Sequence, residues 1–165
     1  MIRDFDPADT DQTTAVLALN AANVPEVGPM DANKLAFFAS TSPYFKIVEG
    51  SAGEIIGMLI GLTQNEVAYQ SPNFKWFCER NERFAYVDRI AIAENGRGQG
   101  WGPALYTDFA SWARAQKLPM MCAEVNTIPP NPRSAHFHEV FGFEEAARTN
   151  PYGPNEEVAM LELTL

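Results

Sequence analysis

The segment ENGRGQGWGPAL, at residues 94–105, most constrains how this chain folds. Its glycines occupy alternate positions: Gly98, Gly100 and Gly102. A predicted strand, YVDRIAIA, precedes the segment and a predicted amphipathic helix, PALYTDFASWARAQK, follows it. A glycine-rich turn between a strand and a helix N-terminus favours a phosphate, because backbone N–H groups converge there at the positive end of the helix dipole. Pro103 suits a first helical turn and Arg97 adds a cation, so we predict an anion site here rather than a tight turn that binds nothing.

The ending of this segment excludes two common nucleotide loops. A P-loop ends in Gly-Lys-Ser/Thr, whereas this segment ends in Gly-Pro-Ala. A Rossmann fingerprint requires its third glycine at the position that Pro103 occupies. The phosphate ligand is therefore of another kind.

The rest of the chain alternates predicted strands with predicted helices. The predicted strands are IRDF, YFKIVEG, EIIGMLIGL, RFAYVDRIAIA, PMMCAEVN, GFEEAAR and EEVAMLELTL. The other predicted helices are DTDQTTAVLALNAA, which Asp9 or Thr10 can cap, a segment from about Asp31 to Ser40, and NPRSAHFHEVFG, which Gly142 stops. A long stretch from Thr63 to Asn81 is predicted to be irregular, either a functional lid or a small aromatic cluster.

These segments predict one α/β domain over residues 1–165. The strand–helix–strand segment from Arg83 to Asn126 implies a parallel pair with a right-handed crossover, and the SAG turn predicts an antiparallel hairpin. We expect a central mixed, twisted sheet of about seven strands with a parallel central pair, flanked by about four helices.

Charge and composition narrow the possible partners. A net charge of −9 argues against a nucleic-acid surface and an anionic membrane, and weakly favours small cations such as amines. Cys78 and Cys122 form no CxxC pattern, and no metal site is predicted. The first ten residues lack an apolar signal segment, and the apolar run IIGMLIGL is too short to cross a bilayer. We expect a soluble cytoplasmic protein.

Two motifs resemble the GNAT superfamily of N-acetyltransferases. RGQGWG is similar to the R/Q-x-x-G-x-G/A motif with which that superfamily wraps the pyrophosphate of acetyl-coenzyme A. NPRSAHFHEVFGFEE is similar to the later family segment N-x-x-A-x-x-L-Y-x-x-x-G-F. The residues that match this spacing are Asn131, Ser134, Phe137, Gly142 and Phe143. The resemblance implies a GNAT-like fold and acetyl-CoA as co-substrate.

The resemblance also implies where coenzyme A binds. The pantetheine arm would lie in a split between two parallel strands, along the backbone of Ile90, Ala91 and Ile92. The pyrophosphate would meet the loop residues Arg97, Gly98, Gln99, Gly100, Trp101 and Gly102. Asn131 would contact the pantetheine, and Ser134 and Phe137 would border its thiol end.

The implied reaction is direct attack of an uncharged amine on the thioester. Glu124 is the first choice for the general base, because related N-terminal acetylases place a glutamate in a similar "EV" at the end of this strand. Asp88 and Tyr86 are alternatives, as is a water chain with no single base. His138 stands where the family has a tyrosine, so it could protonate the sulfur, take a proton from the amine, or only hydrogen-bond near the cofactor. His136 is expected to be structural.

The acceptor is expected between the first two helices and the later loops. Glu26, Tyr86 and Trp76 are the predicted contacts, since a carboxylate among aromatic rings suits an ammonium group. A small amine, an amino acid or a peptide N-terminus fits this pattern equally well. A non-catalytic acyl-CoA-binding module and an acyl group other than acetyl stay as alternatives, and members of the superfamily are often homodimers.

Overall fold

The computed structural model describes residues 1–165, all of the chain. Seven strands form in chain order: β1 Ile2–Asp4, β2 Tyr44–Glu49, β3 Ile55–Thr63, β4 Ala85–Ile92, β5 Met120–Ile128, β6 Glu144–Thr149 and β7 Glu157–Thr164. Five α-helices accompany them: α1 Thr10–Ala21, α2 Ala32–Thr41, α3 Pro72–Arg80, α4 Trp101–Ala115 and α5 Pro132–Phe141. A short 3-10 turn, Glu94–Gly96, precedes α4. None of these helices has the length and apolar character that crossing a membrane requires.

The strands form one mixed sheet in the order β1-β2-β3-β4-β5-β7-β6. β2 pairs antiparallel with β1 and β3, and β7 pairs antiparallel with β5 and β6. β4 and β5 run parallel, with Ala85 opposite Met121 and Tyr86 opposite Cys122. The predicted seven-stranded mixed sheet with a parallel central pair is confirmed. A fifth helix adds to the four that were expected.

That extra helix corrects the interpretation of Thr63–Asn81 as an irregular stretch. α3 occupies Pro72–Arg80, with the Ser71 hydroxyl accepting a hydrogen bond from the amide of Phe74 at 3.4 Å. The chain carries a start signal for it, since Ser before Pro at the first helical position is a common N-terminal pair. The high aromatic content of the segment obscured that signal.

The chain divides into two compact units, and the first comprises residues 1–62 and 88–109. Asp9 caps α1 by accepting hydrogen bonds from the amides of Asp11 and Gln12, as the sequence predicted. The core of this unit consists of buried side chains from α1, α2, the β2–β3 hairpin and α4: Val16, Leu35, Phe38, Ile47, Met58, Ile60 and Phe109.

The second unit comprises residues 63–87 and 110–165. Its core joins buried residues of α3 and β4, and Phe84 just before β4, to those of β5 and β7: Phe74, Phe77, Phe84, Tyr86, Met121, Val125 and Met160. α5 ends at Gly142, whose φ of +108° gives the left-handed stop that the sequence predicted.

Candidate active site

The glycine loop adopts a conformation that only glycine takes easily. Gly98 has φ +73° and Gly100 has φ +82°. Nothing lies within 4 Å of the position that a Cβ would occupy on either residue. The glycines are therefore required by backbone geometry and not by crowding, and they leave open space beside the main chain.

The loop leads directly into the N-terminus of α4. The helix begins at Trp101, two residues before the predicted start at Pro103, and Ala104 N donates to Gly100 O at 3.0 Å. The first amides of a helix have no acceptor within it, so Trp101 and Gly102 contribute N–H groups to the loop. These amides supply the donors that an anion site needs.

Arg97 is tied to neighbouring elements at the start of the loop. Its Nε donates to Ile92 O at 3.3 Å and its Nη2 donates to Asn23 Oδ1 at 3.1 Å. Asn23 is itself buried and donates to Leu19 O at 2.9 Å. The guanidinium group therefore links the end of β4 to the end of α1 while the residue stays exposed.

A buried arginine on β4 is the main feature of the first unit that the sequence reasoning missed. Arg89 is 4% exposed and its Nε donates to Asp88 Oδ2 at 2.8 Å. Its Nη1 donates to Asn20 Oδ1 at 2.8 Å and to Gly28 O at 3.0 Å. The guanidinium carbon also lies 5.0 Å from the ring centroid of Phe38. This network fixes the segment between α1 and α2 to the strand.

Asp88 is the anionic partner of that arginine. Its side chain is 3% exposed and forms an ion pair with a side chain that is equally buried. Along the same strand Ala91 is buried, whereas Ile90 and Ile92 are half-buried. Sequence alternation placed Asp88 on the face of Tyr86 and Ile90, but alternation does not reveal a neighbouring arginine that turns back to it.

Glu124 on β5 is held by two hydrogen-bond donors. The Tyr86 hydroxyl donates to Glu124 Oε1 at 2.7 Å, and Asn73 Nδ2 donates to the same oxygen at 3.2 Å. Tyr86 is fully buried, with its ring centroid 5.3 Å from that of Phe74 and 5.8 Å from that of Phe77. The structure thus joins two predicted residues, Tyr86 and Glu124, and adds Asn73, which the sequence analysis did not single out.

His138 is buried within α5 and faces aromatic rings. It is 3% exposed, and its ring centroid lies 5.3 Å from that of Phe137 and 5.2 Å from that of Phe143. Nδ1 lies 2.7 Å from Ser134 O, so Nδ1 carries a proton and donates it, because a carbonyl oxygen only accepts. Burial lowers the pKa of His138 below its usual 6.5, against a smaller opposing effect of the Ser134 hydrogen bond. The imidazole is therefore neutral at pH 7.

The other predicted residues of this segment have local roles. Asn131 Oδ1 accepts a hydrogen bond from Ser134 N at 3.1 Å and so caps α5. The Ser134 hydroxyl lies 3.4 Å from His138 Nδ1. His136 is exposed, 3.9 Å from the Glu139 carboxylate. Because Asn131 Oδ1 is used in this cap, the side chain would contact a cofactor through its Nδ2 donor.

The two remaining predicted acceptor residues lie in different units. Glu26 is exposed in the segment between α1 and α2. Trp76 is half-buried on α3, with its ring 5.0 Å from Phe77 and 5.4 Å from the Arg80 guanidinium carbon. Trp76 therefore lies on a helix and not in the irregular lid that was one expectation.

A mixed sheet with a glycine loop between β4 and α4 defines an acetyltransferase class of fold. The family described as "Acetyltransferase (GNAT) family" matches residues 14–143, and the chain belongs to it. By class the chain is therefore an acetyltransferase, and the resemblance drawn from RGQGWG and the later motif is confirmed.

Solved structures agree on the fold. Ard1 from Thermoplasma volcanium is 22% identical with a TM-score of 0.78, over 100% of this chain and 97% of that chain. The NatC complex bound to Gag peptide and CoA is 18% identical with a TM-score of 0.76, over 100% of this chain and 98% of that chain. The ribosomal-protein-alanine N-acetyltransferase from Brucella melitensis is 20% identical with a TM-score of 0.72, over 100% of this chain and 99% of that chain. No curated protein sequence matches the chain significantly.

Proposed function

We propose that the protein is an acetyl-CoA-dependent N-acetyltransferase in which Glu124 is the general base and the acceptor is an α-amino group. The observation that carries this proposal is the carboxylate of Glu124, whose Oε1 accepts hydrogen bonds from Tyr86 and Asn73. Two donors from different elements hold this carboxylate in a defined orientation, and a general base must be positioned within reach of the proton that it takes.

Coenzyme A is the proposed ligand of the glycine loop. Family membership supports this, as does the presence of CoA in one similar structure, the NatC complex. Open space beside Gly98 and Gly100 and the free amides at the start of α4 suit its pyrophosphate. The pantetheine would pair with the backbone of Ile90–Ile92, and an N–H of that strand would stabilise the oxyanion of the tetrahedral intermediate.

The lower pKa of its ammonium group favours an α-amino acceptor over a lysine-like amine. An α-ammonium has a pKa of about 7.7–8.0 and a lysine ammonium about 10.4. Since each pKa unit corresponds to about 1.4 kcal/mol, the neutral amine is about 3–4 kcal/mol more accessible at an α-amino group. Two of the similar structures fit this choice: one is bound to a peptide, and another is a ribosomal-protein-alanine N-acetyltransferase.

The other candidate residues receive structural roles in this proposal. The Asp88 carboxylate neutralises the buried Arg89 guanidinium, so it is less suited to accept a proton from substrate. The His138 Nδ1–H is used on Ser134 O and burial keeps the ring neutral, which disfavours it as an acid toward sulfur. A thiol with a pKa near 8.5 leaves as thiolate without a dedicated acid.

The test is release of free CoA thiol from acetyl-CoA in the presence of named amines. These are tetrapeptides beginning with alanine, serine or methionine, their N-acetylated forms as controls, spermidine, and free amino acids. We expect turnover with unblocked peptides and none with the blocked forms. Glu124→Gln, which keeps the size of the side chain, should lower kcat by about 100-fold or more.

Two outcomes would contradict the proposal. Coenzyme A binding without turnover of any amine would identify a binding module in place of an enzyme. Turnover by Glu124→Gln equal to that of the wild type would reject Glu124 as the base, whichever acceptor is used. Mass spectrometry of a co-purified ligand would separately identify the acyl group.

A further inference from the structure

Helix α3 presents an asparagine to the strand that carries Glu124. Its buried residues are Asn73, Phe74 and Phe77, so these three define its inward face. Phe74 and Phe77 pack against the ring of Tyr86 on β4 with centroid distances of 5.3 and 5.8 Å. This aromatic packing fixes the helix so that Asn73, in its first turn, contacts Glu124.

Two donors from different elements meet one oxygen of this carboxylate. Asn73 Nδ2 comes from α3 at 3.2 Å and the Tyr86 hydroxyl from β4 at 2.7 Å, both to Glu124 Oε1. A carboxylate oxygen only accepts hydrogen bonds, so the nitrogen of the Asn73 amide must face it. The asparagine and the tyrosine together restrict the rotation of the Glu124 side chain.

The asparagine lowers the stability of the position it occupies. Asn73 is 6% exposed, and its Oδ1 is buried with no hydrogen-bond partner. A buried carbonyl oxygen without a donor is unfavourable, and such groups in folded proteins require an explanation. Leucine has a similar size and would fill the space beside Phe74 without this cost. The contact with Glu124 accounts for an amide at this point.

We propose that Asn73 is a positioning residue that holds Glu124 in the orientation in which it accepts the proton of the acceptor. This inference rests on the proposed role of Glu124 as general base. Helix α3, between β3 and β4, would then contribute to the reaction through Asn73. The resemblance to the family did not indicate this side chain.

Two other ionisable groups lie near Glu124 and do not interfere with a pH test. The Tyr86 hydroxyl donates a hydrogen bond to Glu124. Cys122 lies two residues before Glu124 on β5 and interacts electrostatically with its carboxylate. Burial, with the charges of Glu162 and Glu124 as further causes, raises the pKa of the Cys122 thiol. Phenol and thiol both titrate well above the acidic limb of a rate profile. The α-amino group of the peptide substrate also titrates, with a pKa of about 7.7–8.0, but it is the same for every variant, so a difference in that limb between the wild type and the Asn73 variants reports the carboxylate.

The experiment compares Asn73→Leu and Asn73→Ala with the wild type and with Asn81→Leu. Asn81 ends α3 and donates from Nδ2 to Glu162 Oε1 at 3.0 Å, a contact of the same kind at a different glutamate. For each protein, kcat and both KM values are measured with acetyl-CoA and the alanine-starting tetrapeptide, as functions of pH. Urea unfolding is followed in parallel. Asn73→Ala removes the amide without adding a charge or a larger side chain, and provides a second variant if the leucine variant does not fold.

We expect both Asn73 variants to lower kcat by about 10-fold or more, since small displacements of a reacting group are costly. The KM for acetyl-CoA should stay within about twofold, and the acidic limb of the profile should move to higher pH because the carboxylate loses a donor. Asn73→Leu should remain folded without urea, and Asn81→Leu should keep the wild-type profile.

The outcomes separate this inference from the proposed function. Wild-type kcat and pH profile in both Asn73 variants, beside an inactive Glu124→Gln, would overturn the inference alone. A loss of kcat in Asn73→Leu that follows a loss of stability, with an unmoved pH profile, would also overturn it. Full turnover in Glu124→Gln would overturn the role of Glu124 and this inference together.

Discussion

Replacing Asp88 by asparagine separates its two possible roles, counterion and base. The Asp88 side chain is 3% exposed and Oδ2 accepts from Arg89 Nε at 2.8 Å. Asparagine keeps the shape of the side chain and removes the charge. The Arg89 guanidinium then stays buried with two neutral acceptors, Asn20 Oδ1 at 2.8 Å and Gly28 O at 3.0 Å.

The expected loss of stability follows from these contacts. Removing one partner of a buried ion pair costs about 3–5 kcal/mol, because the other charge stays buried without compensation. The two neutral acceptors still solvate part of the guanidinium, so we expect the lower end, about 3 kcal/mol. For a chain of this length, that lowers the melting temperature by roughly 6–12 °C. Arg89→Met should cost at least as much, because it removes the guanidinium that pairs with the buried Asp88 carboxylate.

The assay is a double-mutant cycle of urea unfolding at pH 7. The double variant Asp88→Asn/Arg89→Met removes both charges and keeps an apolar group against Phe38, whose ring lies 5.0 Å from the guanidinium carbon. Neutral replacement of a whole buried pair is often nearly without cost, so the double variant should cost no more than either single variant, which corresponds to a coupling energy of at least about 3 kcal/mol. Asp88→Asn should retain kcat within about 10-fold, whereas Glu124→Gln loses about 100-fold or more.

Two results would refute this reasoning. A coupling energy below about 0.5 kcal/mol would mean that the two charges do not depend on one another. A loss of kcat in Asp88→Asn as large as that in Glu124→Gln, with unchanged stability, would make Asp88 the base. Either result would return the acid–base assignment to the alternatives that the sequence left open.

Two further predictions concern the glycine loop and α5. Gly100→Ala forces a side chain into a φ of +82°, which should lower stability by about 1–2 kcal/mol and weaken coenzyme A binding in calorimetry. The matched control is Gly28→Ala, because Gly28 has no positive φ and no atom close to the position of a Cβ. An unchanged Kd for Gly100→Ala would contradict the proposed phosphate site. Burial lowers the pKa of His138 in the folded state, so the unfolded chain binds the extra proton first and stability is lost as the pH falls below about 6.5. His138→Leu should therefore lose less stability than the wild type between pH 7.5 and about 5 in urea unfolding, and equal losses would show that His138 does not contribute.

Helix α3 shows where prediction from the sequence was incomplete. The segment from Thr63 to Asn81 was interpreted as irregular, either a lid or a small aromatic cluster, although Pro72–Arg80 forms a helix. The Ser71–Pro72 pair was the available start signal. What stabilises the helix is burial of Phe74 and Phe77 against Tyr86, and this contact depends on a strand that follows in the chain.

Interactions between residues close in the sequence determine most of the secondary structure of this protein. Patterns of period two predicted the strands, and helical patterns predicted four of the helices. The Asp9 cap followed from short-range hydrogen bonding, and the Gly142 stop followed from the restriction on φ. The glycine loop followed from the same restriction on φ. Only the tertiary structure decided which side chains meet. Asn73 and Glu124 are 51 residues apart, and Arg89 and Asn20 are 69 apart. Such contacts depend on how the strands and helices pack, and no periodicity along the chain encodes that directly.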